Sequence, residues 1–304
     1  MRVSNSDHFE RRGGLTRACA STSSMASKET GVHDASAGTI DSEVLGHRWL
    51  LLRHGQTDFN ADGRVQGSSD SSRLSEEGKR QAKAVGDFLG TLHIDKVYVS
   101  PLARAQQTLE EAEQAAGKQF ASKVVVKDLR EVDLHEWEGL YKKKIKEQWP
   151  DIYNQWRGDS PGDFRLESGR YPIRDLWQRA GGVWQQMLKE AAAEGGEDPM
   201  IGTKRSLVTG HNGINQAMLA KAFGLSEEAF RKFEFPNCGV AEVLWNPGED
   251  KARMWRWIYP TSSAWRSVED TAAELARQRV VYAENSETDS DSVNSSVSSS
   301  PCMD

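Results

Sequence analysis

Short apolar runs alternate with longer amphipathic stretches through the middle of the chain, between residues 46 and 260. The runs have the length of buried strands, whereas the stretches between them carry apolar side chains at the spacing of one helix face. Alternation of this kind is typical of a mostly parallel sheet whose two faces are covered by helices. The sequence therefore predicts an α/β fold of three layers, α/β/α, around a mostly parallel central sheet.

The element boundaries follow from the same patterns. The runs predicted to be strands are Trp49–Leu52, Lys96–Val99, Val124–Val126, Ser206–Val208, Val240–Trp245 and Met254–Ile258. The predicted helices are Ser75–Leu89, Pro101 to Gly117, Pro172 to about Glu194 and Gly213–Phe223. In the second of these helices, Ser100 is the expected N-cap and Gly117 the expected end. The pair Gly181-Gly182 is an expected weak point in the third.

Composition limits the classes of protein to which the chain can belong. Its 304 residues carry a formal net charge of −6, which argues against general nucleic-acid binding. No apolar run approaches the length of a membrane span. The cysteines Cys19, Cys238 and Cys302 are scattered and match neither a disulfide framework nor a zinc spacing. This usage favours a reducing compartment.

Polar segments flank the predicted domain, which covers residues 46–260. Residues 1–45 are rich in small polar residues without apolar periodicity, and we expect them to be disordered. From Arg11 to Lys28 there are four basic residues and no acidic one, as in an organelle transit peptide, although a plain solvated arm explains this equally well. Residues 261–304 are expected to hold a C-terminal helix followed by an acidic, serine-rich disordered tail.

Polar side chains follow four of the predicted strands. Arg53 and His54 come directly after the first strand, Arg104 follows the second, Glu131 the third and His211 the fourth. Because the carboxyl ends of parallel strands meet at one edge of a sheet, we expect these five side chains to converge in one crevice. Taken singly, each has an ordinary alternative, such as a core histidine or a surface ion pair. Their recurrence at successive strand ends favours an active site.

The chemistry of this set suits phosphoryl transfer. A neutral imidazole at His54 can attack phosphorus and form a phosphohistidine. Arg53, Arg104 and a donor nitrogen of His211 can neutralise the charge of the transferring group. The neighbouring positive charges should also keep His54 unprotonated near neutral pH.

A leaving alkoxide needs a proton, and Glu131 is the candidate general acid, whose carboxylate can later activate water. The carboxylates that compete with it for this role are Asp133, Glu136 and Glu138. No cluster of Asp, His or Cys with metal-ligand spacing is present in the sequence. We therefore expect a reaction that needs neither a metal nor a cofactor.

Four segments carry a resemblance to a known family: LLRHGQTDFN (51–60), SPLARAQQT (100–108), LREVDLHEWEG (129–139) and VTGHNGINQ (208–216). Together they resemble the histidine phosphatase superfamily, on its phosphoglycerate mutase-like branch, over about residues 47 to 260. The resemblance implies that His54 is the phosphorylated nucleophile and Glu131 the proton donor. It implies a phosphate pocket made of Arg53, Arg104, His211, Asn60, Gln66 and Gly67. Asn212 is a departure, because the family most often has glycine there.

Two activities compete within this branch. Cofactor-dependent mutases carry a Glu-Arg-His-Tyr-Gly segment around the acid residue, whereas residues 130–134 here read REVDL and resemble the phosphatase form. The segments RVQGSSD (64–70), RYPIRDLWQRA (170–180), GHNGINQAM (210–218) and NCGV (237–240) are similar to plant phosphatases that act on 2-carboxy-D-arabinitol 1-phosphate in chloroplasts. The resemblance thus implies metal-independent hydrolysis of a small phosphorylated sugar or sugar acid, in chloroplast or cytoplasm. The alternatives are mutase-type transfer and non-catalytic binding of a phospho-ligand.

Other groups must hold the body of such a small phosphorylated metabolite. Arg64 and Arg174 are candidates, because a sugar acid needs a cation for its carboxylate. For Arg174, a salt bridge with Asp175 or Glu167 is an equally good explanation. A group of tryptophans is expected to pack an inserted helical segment over the site, as core rather than as an aromatic cage: Trp137, Trp149, Trp156, Trp177 and Trp184.

Overall fold

The computed structural model describes residues 46–194, 204–233, 235–260 and 266–267 of the chain. The predicted leader at residues 1–45 lies outside the described residues, as do Cys19 and Cys302. The predicted C-terminal helix and acidic tail also lie outside them, apart from residues 266–267. These predictions stay predictions.

Seven strands of the described residues form one mixed sheet. They are β1 (His47–Arg53), β2 (Lys96–Val99), β3 (Lys123–Val125), β4 (Arg205–Gly210), β5 (Val240–Trp245), β6 (Met254–Tyr259) and β7 (Arg266–Ser267). Their order across the sheet is β3-β2-β4-β1-β5-β6-β7. The neighbours β3, β2, β4 and β1 run parallel to one another. Strand β5 pairs antiparallel with β1, β6 with β5 and β7 with β6. The predicted α/β fold is confirmed, with an antiparallel edge on a parallel core.

The described helices are α1 (Asp58–Asp62), α2 (Glu76–Gly90), α3 (Ala103–Ala116), α4 (Lys142–Gln148), α5 (Pro150–Arg157), α6 (Pro172–Glu194) and α7 (Asn212–Ala222). None of them combines the length and the apolar character that crossing a lipid bilayer requires. The third predicted helix is confirmed as α6, and it continues through Gly181 and Gly182 without a break. Gly117 ends α3 in a left-handed conformation, as predicted. Ser100 is not its N-cap, because Leu102 is still extended and α3 begins after it.

Alternate residues of β1 face two different helical layers. Leu50 and Leu52 belong to a core cluster with residues of α2 and α3. Trp49 and Leu51 belong to a second cluster, with residues of α6 and α7. All four side chains are fully buried. A strand that is covered on both faces has no solvent side, which explains why β1 reads as one continuous apolar run.

The helical insertion between β3 and α6 is built around aromatic side chains. Trp156 of α5 lies 4.9 Å from Phe164 and 6.1 Å from Phe230, measured between ring centroids. Trp137 lies 5.4 Å from Phe164 and is buried. Edge-to-face contacts of this kind stabilise an aromatic core beyond their buried area. Trp137 is therefore a core residue, as expected, whereas Trp156 is half-buried and also lines a cavity.

Close packing of α2 on α3 makes Gly86 a sensitive position. A Cβ atom at Gly86 would lie 2.3 Å from the carbonyl oxygen of Ala112. We expect Gly86→Ala to lower the free energy of unfolding by about 1–3 kcal/mol, because the two helix backbones must separate. Urea unfolding measures this change.

Gly182 supplies the matched control, because it lies inside α6 with nothing within 4 Å of its Cβ position. Gly182→Ala should raise stability by about 0.5–1 kcal/mol through helix propensity alone. A Gly86→Ala protein as stable as the wild type would contradict the close helix packing.

Candidate active site

His54 stands at the carboxyl end of β1 with its tautomer fixed. Its Nδ1 lies 2.7 Å from the carbonyl oxygen of Gly55, and the side chain is buried. Because a carbonyl oxygen only accepts hydrogen bonds, Nδ1 carries the proton and donates it to that oxygen. The other ring nitrogen, Nε2, therefore keeps its lone pair. This is the arrangement that a nucleophilic imidazole needs.

Gly55 allows this loop to pack against the start of α2. A Cβ atom there would lie 2.6 Å from the carbonyl oxygen of Gly78, and one at Gly78 would lie 1.9 Å from the carbonyl oxygen of Gln56. Two backbones thus meet at a distance that only glycines permit. The amide of Gly55 also donates to Thr108 Oγ1 at 3.0 Å. The segment after His54 is therefore tied to both α2 and α3.

Arg104 is a fully buried cation on the first turn of α3. Its Nη2 donates to the carbonyl oxygen of Gly67 at 2.7 Å, and its Nη1 donates to that of Ser69 at 2.8 Å. Its Nε donates to Nδ1 of His211 at 3.2 Å. Burial lowers the pKa of Arg104 to about 10, against the opposing charge of Glu131, so the group remains charged at neutral pH. The alternative of a surface pair along α3 does not apply.

His211 precedes α7 and uses both ring nitrogens within the protein. Its Nδ1 accepts from Arg104, and its Nε2 lies 2.8 Å from Ser100 Oγ. Since Nδ1 is the acceptor, Nε2 carries the proton and donates to the serine. We expected a nitrogen of His211 to donate to a bound oxyanion. In this structure the ring instead orients Arg104, with its centroid 5.1 Å from that of His54.

Both imidazoles are held in the neutral form. Burial is the largest cause that lowers the pKa of His54 well below its ordinary value, followed by the positive charges of Arg104 and Arg53. The pKa of His211 is also well below its ordinary value, again first through burial and then through Arg104. The direction that the sequence predicts for His54 is confirmed. The main cause, however, is desolvation rather than the neighbouring guanidiniums.

Glu131 reaches the amino end of α7 from the loop after β3. Its Oε2 accepts from the amide of Gly213 at 2.9 Å, and its Oε1 accepts from that of Ile214 at 3.2 Å. The helix has no side-chain cap of its own at His211, so this carboxylate caps it from a distance. A Cβ atom at Gly213 would lie 2.4 Å from Oε1. Only a glycine at position 213 therefore leaves room for the Glu131 carboxylate.

The competing carboxylates have other partners. Glu138 accepts from the amide of Ser68 at 2.7 Å, and Glu136 accepts from the amide of Ser168 at 3.2 Å. Asp133 pairs with Arg170. None of the three lines the cavity that Glu131 shares with His54.

Arg179 on α6 fixes the loop that carries Glu131. Its Nη1 donates to the carbonyl oxygens of Asp128 and Arg130, both at 2.8 Å, and its Nη2 donates to that of Glu131 at 3.0 Å. One guanidinium thus satisfies three carbonyls between residues 128 and 131. The sequence analysis did not single out this residue, because nothing in the local pattern shows which loop an arginine on a helix will meet.

A cavity of about 520 Å³ joins most of the proposed site residues. Its wall includes Arg53, His54, Asn60, Arg64, Gln66, Gly67, Arg104 and Glu131. His211 lies behind this wall, fully buried. Arg174 lies outside the lining: it donates to Asp163 at 2.8 Å and stacks on Tyr171 at 4.4 Å. This partner is neither of the two acids that the sequence analysis considered for it.

The predicted phosphate-pocket side chains lie in the cavity wall and are held by the segment around Thr57. Asn60 Oδ1 accepts from the amide of Thr57 at 3.2 Å, and Gln66 Oε1 accepts from the Thr57 hydroxyl at 3.0 Å. The left-handed conformation of Gly67, with φ of 54°, points its carbonyl at Arg104. Arg64 donates to the carbonyl of Gly139 at 2.7 Å.

The part of the cavity farther along the insertion was missed by the sequence analysis. We call it the outer wall, and its members are Tyr153, Trp156, Arg157, Asp159, Glu228, Arg231 and Lys232. They come from α5, from the loop after it and from the segment after α7, so only tertiary packing brings them together. In the described part of the chain, no group of three or more His, Cys, Asp or Glu is placed to hold a metal ion.

Comparisons with known proteins agree on one family. Residues 49–258 match the family model of the histidine phosphatase superfamily, branch 1. A 2-carboxy-D-arabinitol-1-phosphatase of Triticum aestivum is 33% identical over 274 residues, which are 89% of this chain and 52% of that protein. A probable 2-carboxy-D-arabinitol-1-phosphatase of Arabidopsis thaliana is 38% identical over 203 residues, which are 67% and 39%. The chain thus spans about half or less of these relatives.

A solved structure shows the same fold. The mycobacterial glucosyl-3-phosphoglycerate phosphatase superposes with a TM-score of 0.58 at 26% identity, over 70% of this chain and 97% of that one. A metal-independent phosphoserine phosphatase of Arabidopsis thaliana is 32% identical over 181 residues, which are 59% of this chain and 69% of that protein.

The buried histidines predict a stability that declines in acid. An unfolded chain protonates His54 and His211 near the ordinary pKa of about 6.5, whereas the folded protein keeps both neutral. Below that pH the unfolded state binds more protons, so the free energy of unfolding falls as the pH decreases. Each imidazole adds a slope of up to about 1.4 kcal/mol per pH unit.

Urea unfolding between about pH 7 and pH 5 measures this slope for the wild type and for His211→Gln. The variant has lost one proton-binding site of the unfolded state, so its stability should decline less steeply with acid. Equal slopes in the two proteins would contradict a neutral, buried His211.

Arg179 is expected to keep the Glu131 carboxylate in hydrogen-bond contact with the amino end of α7. Arg179→Met removes the donors of three carbonyl groups, and we expect it to lower the free energy of unfolding by about 1–3 kcal/mol. It should also speed hydrogen exchange at the amides of Gly213 and Ile214, because their acceptor is then less well fixed. Arg80→Met on the exposed face of α2 is the control, since Arg80 pairs with Glu77 on its own helix. Unchanged exchange at both amides would show that Arg179 does not position the carboxylate.

Proposed function

Because the chain belongs to the histidine phosphatase superfamily, we propose that it hydrolyses the phosphomonoester of a small sugar or sugar acid, through a phosphohistidine and without a metal ion. The observation that carries this proposal is the unprotonated Nε2 of His54 in the wall of a cavity that it shares with two guanidiniums, those of Arg53 and Arg104. A neutral nucleophile beside fixed positive charge is what attack on an anionic phosphoryl group requires.

The reaction divides into two steps on these residues. In the first, Nε2 of His54 forms a bond to phosphorus while the bond from phosphorus to the ester oxygen breaks, and Glu131, in its protonated form, gives its proton to the leaving alkoxide. In the second, a water molecule attacks the phosphohistidine, Glu131 takes its proton and inorganic phosphate leaves. Arg53 and Arg104 neutralise the phosphoryl oxygens in both steps. Asn60, Gln66 and Gly67 line the same end of the cavity.

A sugar acid such as 2-carboxy-D-arabinitol 1-phosphate is the proposed type of substrate. Two relatives that bear the name of this phosphatase are 33% and 38% identical to the chain. The cavity volume of about 520 Å³ lies within the range of small-molecule sites. The REVDL segment at residues 130–134 supports hydrolysis over transfer to a second hydroxyl.

We expect the purified chain to release phosphate from 4-nitrophenyl phosphate in the presence of excess chelator. His54→Ala should lower kcat at least about a thousandfold, because the covalent intermediate cannot form. His93→Ala is the matched control, since His93 is an exposed histidine outside the cavity. Its rate should equal that of the wild type.

Each alternative has its own signature in these assays. Equal rates in the wild type and His54→Ala would contradict the phosphohistidine route and favour a phospho-ligand binding protein. Activity lost in chelator and restored by a divalent ion would contradict the metal-free mechanism. Isomerisation of 3-phosphoglycerate in the presence of a bisphosphate primer, without release of phosphate, would identify a mutase.

A further inference from the structure

Arg231 in the outer wall has a buried donor with no partner. Its Nη2 is inaccessible to solvent and forms no hydrogen bond with any described residue. The guanidinium lies over the rings of Trp156, at 4.3 Å, and Phe230, at 4.9 Å. Aromatic faces hold a guanidinium in place but do not satisfy its N–H groups. A buried donor left without an acceptor is unfavourable, so the protein alone does not satisfy this guanidinium, which also lines the cavity.

The backbone at Arg231 adopts a conformation that side chains rarely take. Its φ is 69°, in the left-handed region that favours glycine. The amide of Arg231 is held there by Gln216 Oε1 at 2.6 Å. Strain of this kind persists only where the surrounding structure imposes it, and it clusters at ligand sites. The segment after α7 is thus held so that this arginine reaches the cavity.

Cations outnumber carboxylates in the cavity around Arg231, where Asp159 and Glu228 are the acidic members of the outer wall. Burial, and after it the nearby charge of Arg157, lowers its pKa to about 10, so the group stays positive at neutral pH. Arg231 forms no ion pair with any carboxylate in the described part of the chain. Lys142 and Lys232 contribute further cations to the same cavity. An anion is therefore the ligand that this end of the cavity favours.

From these observations, and resting on the proposed function, we propose that Arg231 binds a second anionic group of the substrate while the phosphoryl group lies at His54. A planar guanidinium offers two parallel N–H groups to a carboxylate or to a phosphate. The substrates are then phosphomonoesters with an acid group at the far end, and Arg231 is a specificity-determining residue.

Matched substrate pairs test this role. 3-Phosphoglycerate and glycerol 3-phosphate share a three-carbon chain and differ only in a carboxylate against a hydroxymethyl group. Fructose 1,6-bisphosphate and fructose 6-phosphate differ in a second phosphate. We expect the wild type to prefer the doubly anionic member of at least one pair. Arg231→Met should lower kcat/KM for that member at least about tenfold, mainly through KM, and leave its singly anionic counterpart nearly unchanged.

Two further variants separate charge recognition from folding. Arg231→Lys keeps the charge without the planar fork and should retain part of the preference. Arg165→Met removes another arginine that stacks on a ring, that of Tyr171, outside the cavity, and it should leave the preference intact. A preference confined to the first pair identifies a carboxylate, and one confined to the second identifies a phosphate.

Failure of this proposal is distinct from failure of the proposed function. Hydrolysis of all four compounds without preference for an acid group would overturn the role of Arg231 alone. An equal fall of kcat/KM for both members of a pair in Arg231→Met would do the same, because it would show a purely structural effect. Absence of hydrolysis of every phosphomonoester in the wild type would overturn the proposed function and this inference together.

Discussion

A guanidinium with no exposed surface, that of Arg104, is the group on which the rest of the site depends. It donates to the carbonyls of Gly67 and Ser69 and to the ring of His211, and none of these acceptors carries a charge. A cation buried among neutral dipoles is costly, and it is retained where an anion compensates it during function. Its positive charge also disfavours protonation of His54. One buried charge thus contributes both to the proposed anion site and to the lowered pKa of His54, for which burial is the larger cause.

Glu131 balances this charge from the opposite side through α7. The carboxylate lies at the amino end of the helix, where peptide dipoles favour negative charge, and its charge in turn opposes the lowering of the pKa of Arg104. Arg179 fixes the same loop by its carbonyls. Glu131 is thus held by α6 and α7, whereas His54 and Arg104 are held by β1 and α3. This separation prevents the carboxylate from simply pairing with Arg104 and closing the anion site.

The sequence predicted the part of the cavity around His54 because the residues there follow strands. A buried strand is visible as an apolar run, and the residues at its carboxyl end must lie at the edge of the sheet, where Arg53 and His54 line the cavity. Glu131 reaches the same cavity from the loop after β3. Side-chain partners were less accessible, since they depend on tertiary distances. No pattern showed that Ser100 would accept a hydrogen bond from Nε2 of His211 instead of capping α3.

The positions of the outer-wall side chains could not be predicted from strand patterns, for a physical reason. Its side chains come from a helical insertion and from the segment after α7, neither of which is fixed by the sheet. Their positions are set by the aromatic packing of Trp156, Phe164 and Phe230. Packing of this kind tolerates substitution as long as volume is conserved, whereas the glycine contacts behind His54 do not. The two ends of the cavity are therefore under different constraints. In the proposed function, residues such as Arg231 can therefore change the recognised acid group without changing the proposed reaction at His54.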